Sequence, residues 1–180
     1  MLAASGLLDK ADLSLSDLWY QSRSASDGKI VIVGIDQRAL EELGPYNQWG
    51  RDVIAKAIKA LNESPDCRPA VIAVDILYAG ETDPEKDEML ALAAGEYGNV
   101  VSACLGSFGS MLVEDGLGEY RLDSFSMTAF EEPFPLLKAG TTQGHINAML
   151  DQDGILRHHM LELTLPDGTK VPSMALAAAQ

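Results

Sequence analysis

Asp36 and Asp75 each stand at or near the C-terminal end of a β-branched apolar run, IVIVGID over residues 30–36 and VIAVDIL over residues 71–77. Continuous runs of this kind are expected as strands buried on both faces, the mark of a parallel sheet. A carboxylate in that setting is costly unless a cation or several N–H donors meet it. On neighbouring parallel strands the two carboxylates would lie roughly 5–8 Å apart. So placed, they raise one another's pKa, share a cation or hold an arginine between them. Arg51 follows a loop on the same edge, and Asp87 can turn inward from the next helix. His145 and Asn147, two residues apart, share one strand face and can add hydrogen-bonding groups. The expected ligand site is therefore Asp36, Arg51, Asp75 and Asp87, with His145 and Asn147 from a neighbouring strand. Three of these have a structural alternative: Asp36 can cap the following helix, Asp75 can accept backbone N–H bonds, and His145 can be a satisfied core histidine.

Other chemistries are poorly supported. DQDG at 151–154 suggests a calcium loop, but aligning Gly154 with the invariant glycine puts Met149 and Met160 at ligand positions. Methionine cannot bind calcium there, so a hairpin turn is expected. His158 and His159 are consecutive and face opposite ways in a strand, and the spacing holds no Cys/His zinc pattern. Neither a nucleophile-elbow serine nor a phosphate-cradling glycine motif occurs. Gln37-Arg38 after Asp36 excludes the paired aspartates of phosphoaspartate hydrolases. No catalytic residue, metal or cofactor is expected. A metal-dependent hydrolase using Asp36 and Asp75, or an interaction module without a small-molecule pocket, remain the rival readings.

The elements that must position these residues follow from pattern and punctuation. Apolar residues at helical spacing predict a helix over 7–22, a short helix over 38–43 stopped by Gly44-Pro45, and a helix over 52–62 with Ile54, Ile58 and Leu61 on its buried stripe. Asp83-Pro84 predicts the start of a helix running to about Tyr97. Strands are expected at 29–36, 70–78, 100–105, 144–149 and 155–165, with turns at 151–154 and 166–169, and a last helix from 174 capped by Ser173. Residues 106–120, rich in glycine and serine, are expected to form a long loop. The expected fold is α/β: a mixed central sheet, parallel in its N-terminal part and antiparallel in its C-terminal hairpins, flanked by helices.

The 180 residues suit a single domain with a full core, and the formal charge of −14 argues against nucleic acid and anionic lipid as partners. No stretch is long and apolar enough to span a bilayer. Residues 1–6 lack the basic start and apolar core of a signal peptide. Cys67 and Cys104 fall at opposite sheet edges and are expected as free thiols.

One ordered set of residues resembles a known family. It comprises Asp17-Leu18-Trp19-Tyr20 with Arg23, residues 30–44, Trp49-Gly50-Arg51, residues 71–77, Asp87, Gly144-His145-Ile146-Asn147, Asp151-x-Asp153-Gly154-x-x-Arg157, and Val171-Pro172-Ser173 followed by Ala175-Leu176-Ala177. This order, covering nearly the whole chain, resembles the CHASE sensor domains of the second type, extracytoplasmic input modules of bacterial receptors. Gly50 departs from the proline often found there, which would loosen the loop carrying Arg51. The resemblance implies a domain at the extracytoplasmic side of the cell membrane, with helices 7–22 and 174–180 leading to spans outside this segment. It implies an adenylate, guanylate or diguanylate cyclase, or a histidine or Ser/Thr kinase, as the output domain. The resemblance does not supply the ligand; the expected partners are a small molecule or cation of unknown identity and a second copy in a homodimer.

Overall fold

A computed structural model of the chain describes residues 13, 15, 17, 18, 28–114, 119–151 and 154–180 (the side chains of residues 113, 121 and 124 aside). Of the helix expected over 7–22, Leu13, Leu15, Asp17 and Leu18 are helical, and the remainder with its C-terminal end lies outside the described residues.

Helices begin where the caps direct. Asp36 accepts a hydrogen bond from the Ala39 amide at 3.0 Å and starts α1 (Gln37–Leu43), an exposed helix with no buried residue. Asp83 accepts from the Glu85 and Lys86 amides, and Pro84 occupies the first position of α3 (Pro84–Gly95). Between them lies α2 (Arg51–Asn62), which buries Ala55 and Ile58. These residues meet Leu90, Ala93 and Ala94 of α3 and Phe134 and Leu137, forming the core with Val100. Leu137 belongs to α4 (Pro135–Gly140), and a last helix, α5 (Met174–Ala179), is capped by the Ser173 hydroxyl.

The sheet is mixed. β1 (Ile72–Val74) and β4 (Thr142–His145) flank β2 (Val100–Glu114), both parallel to it. β3 (Tyr120–Glu131) returns antiparallel to β2, and β5 (Glu162–Thr164) pairs antiparallel with β6 (Lys170–Pro172). Helices pack on this sheet, so the expected α/β class with parallel and antiparallel parts is observed. Gly144 in β4 lets α5 approach closely: a Cβ there would stand 2.5 Å from the Met174 Cα. Both cysteines are free, Cys67 exposed and Cys104 buried.

Three expectations need correction. Residues 30–36 are not a strand of the sheet; they run without a ladder partner, with Ile30, Val31, Ile32 and Val33 at 71–89% exposure. The long loop expected over 106–120 is instead mostly the β2–β3 hairpin, which bulges between Ser107 and Phe108 and between Gly109 and Met111. Those bulges break the alternation that betrays a strand in sequence. Strands expected at 70–78 and 155–165 shorten to β1 and β5, and the strand expected at 144–149 shifts to β4. In the turn at 151–154 the Gly154 amide donates to the Asp151 carbonyl, while Gln152 and Asp153 lie outside the described residues.

Candidate functional site

Arg51 and Asp87 are brought together at the first turns of α2 and α3. An Arg51 guanidinium N–H donates to the Asp87 Oδ1 at 2.8 Å, with side-chain exposures of 10% and 2%. A second guanidinium N–H donates to the Gly80 carbonyl at 2.7 Å. The guanidinium carbon lies 4.4 Å from the Phe134 ring centre and 5.3 Å from that of Tyr78, positions where the ring faces attract a cation. Asp87 accepts two further bonds from Thr82, its amide at 2.7 Å and its hydroxyl at 3.1 Å. Burial works to raise the Asp87 pKa, but the Thr82 bonds and the Arg51 charge outweigh it and hold the carboxyl below its ordinary value. At Gly50 the φ of −80° is one proline would also hold, but a Cβ there would collide with the Asp52 Oδ1, so glycine leaves room for the Asp52 and Lys86 side chains.

Above this pair opens a cleft of about 420 Å³. One wall is the turn over Tyr46–Gln48 with Trp49, whose indole N–H donates to the Gly44 carbonyl at 2.7 Å. The other wall carries Tyr78, Thr82, Asp83 and Lys86. Lys86 stands 3.9 Å from the Asp83 carboxylate, too far for a direct hydrogen bond. Burial pushes the Tyr78 phenol well above its ordinary value, so its O–H stays protonated at neutral pH. The volume suits a small organic ligand.

The other expected residues lie elsewhere. Asp36 is exposed and serves as the cap of α1, and residues 30–36 before it do not pair with β1. Asp75 is exposed just beyond β1. His145 and Asn147 belong to the opposite side of β2. His145 is 1% exposed with neither ring nitrogen hydrogen-bonded, and burial together with the His159 charge lowers its pKa. Asn147 fastens β2, its side-chain carbonyl accepting from the Gly106 amide at 2.8 Å and its amide donating to the Gly106 carbonyl at 2.5 Å. Sequence reasoning did not single out the cleft residues Gln48, Tyr78 and Thr82. The available signal was Thr82 directly before the Asp83-Pro84 cap, a position from which it reaches back over the first helical turn to Asp87.

A second ionic cluster ties the two ends of the chain. Arg157 holds Asp17 through two bonds, at 2.7 and 2.9 Å, and Asp151 through a third at 2.9 Å. All three belong to the motif residues quoted for the family resemblance, yet spacing alone assigned them no contact.

A family model described as the CHASE2 domain matches residues 1–180, the whole chain. No curated protein and no solved structure gives a match. The chain belongs to the CHASE2 domain family, extracytoplasmic sensor domains of signalling receptors.

Proposed function

We propose that this sensor domain binds a small polar organic molecule bearing an anionic group in the cleft over the Arg51–Asp87 pair. The observation that carries this reading is the cleft itself: about 420 Å³ with aromatic, amide and ammonium groups converging on it. Arg51 is committed to Asp87, Gly80 and two aromatic rings, so it forms the floor rather than the recognition group. The Lys86 ammonium, set back from Asp83, has donors to offer an incoming carboxylate or phosphate. Asn47 and Gln48 offer amides from the facing wall, and the protonated Tyr78 offers a neutral hydroxyl.

The cleft lies between the starts of α2 and α3, so a ligand bridging its walls favours one spacing of those helices. It shifts the receptor only by its different affinity for the two arrangements. In the full receptor the shift passes to membrane spans outside this segment, and through them to a cyclase or kinase output domain. The test is a thermal-shift screen of small carboxylates, amino acids and sugar phosphates on the wild-type domain, Lys86→Ala and Gln48→Ala. A true ligand at about 100 times its Kd adds roughly 2.7 kcal/mol of stability. The expected result is a shift for one chemical class that shrinks in both variants. A shift untouched by Lys86→Ala would place the ligand elsewhere, and no shift for any class would remove the reading.

A further inference from the structure

Among the described residues, 30–35 are the least covered apolar stretch. Ile30, Val31, Ile32, Val33 and Ile35 are 83, 80, 89, 71 and 42% exposed. These are strong strand formers, uncharged between Lys29 and Asp36, and their backbone makes no ladder. α1, which follows, has no buried residue, and the chain after it is fixed where the Trp49 indole N–H donates to the Gly44 carbonyl.

The same molecule carries an open sheet edge. β1 pairs only with β2 among the described residues. The Ile72 amide donates to the Asn99 carbonyl at 2.8 Å, so Ile72 turns its backbone groups toward β2. By the alternation of a parallel ladder, Ala73 presents its N–H and C=O away from β2, to the free side. Ile72 and Val74 already pack on the α2–α3 core. An unpaired strand and an unpaired edge are each costly to leave in water, and each is what the other lacks.

We propose that residues 30–35 of one copy add to the free edge of β1 in a second copy, with the exchange made twice about a two-fold axis. A chain holding its own run off its own edge leaves both surfaces open, and two such chains fill both. Each exposed Val or Ile side chain has on the order of 100 Å² to cover. Ten such side chains therefore bury roughly 1,000 Å² before the surface opposite them is counted, within the range of stable interfaces.

The test is sedimentation equilibrium of the 180-residue domain as wild type, Ile32→Lys and Ala73→Pro. Proline at residue 73 removes only the outward N–H, so the β1–β2 ladder is kept; circular dichroism checks that both variants fold. The expected result is a concentration-dependent dimer for wild type, weakened at least tenfold in each variant. In a second arm, a Cys67→Ser chain carrying Ile32→Cys is mixed with a Cys67→Ser chain carrying Ala73→Cys, and oxidation should give a product of twice the mass. A monomeric wild type at all concentrations, a dimer indifferent to both substitutions, or an intrachain disulfide when both cysteines are placed in one chain would each overturn the proposal.

Discussion

Asp87→Asn isolates the energetic centre of the cleft floor. The carboxylate accepts three hydrogen bonds on two oxygens, from Arg51 and from the amide and hydroxyl of Thr82. Asparagine has nearly the same shape but one acceptor oxygen, so either Arg51 or the Thr82 amide must face an NH₂ group. The larger loss is the charge: Arg51, 10% exposed, keeps its positive charge with no counterion. Removing one partner of a buried ion pair costs about 3–5 kcal/mol, because the survivor stays desolvated. For a domain of this size that lowers Tm by on the order of 10 °C. Urea denaturation of wild type, Asp87→Asn, Arg51→Met and the double variant gives the coupling directly. The double variant should recover part of the loss, since methionine keeps the stem packed beside Phe134 without a buried charge. A cost below about 1 kcal/mol for Asp87→Asn, the level of a surface pair, would refute the argument. So would strict additivity in the cycle.

Acid should act through two groups. The Asp87 pKa is held down, so its contribution is present above the ordinary carboxylate pKa near 3.8 and is lost as pH falls through the lower folded value. The fall in the urea midpoint at low pH should therefore be shallower in Asp87→Asn. His145 is also depressed, below 6.5, and being a base it is neutral when folded. Its contribution is complete above 6.5 and declines as pH falls below that value, because the unfolded chain takes up the proton first. His145→Met should flatten the stability profile between about pH 7 and pH 5; an unchanged slope would show that His145 finds water on protonation. At the terminal clamp, Arg157→Lys replaces a fork that grips both Asp17 oxygens with a single ammonium. A loss of about 1–2 kcal/mol by urea denaturation is expected, and no loss would mean that Asp151 alone satisfies the site.

What the chain discloses about itself divides along physical lines. Caps are local, so Asp36, Asp83 and Ser173 announced α1, α3 and α5 from single residues and their followers. Arg51 and Asp87 were legible as members of one site because two helix starts above a parallel sheet face the same edge, whichever side chains line it. The hairpin of β2 and β3 was hidden because two bulges reset its alternation and left Gly106, Ser107, Gly109 and Ser110 resembling a loop. The expectation that failed hardest is also the most instructive. IVIVGID has the composition of a central strand, and hydrophobicity marks it for pairing that the chain itself does not make. Composition carries no address for the partner, however: pairing within one chain and pairing between two satisfy the same side chains and the same backbone groups. If residues 30–35 add parallel to the β1 edge of a second copy, Asp36 and Asp75 come to one rim, on different chains. Like charges would then face one another across the dimer interface, so Asp36→Asn, which can still cap α1, should tighten the dimer; an unchanged dissociation constant by sedimentation equilibrium would part the misplaced strand from the misplaced carboxylate.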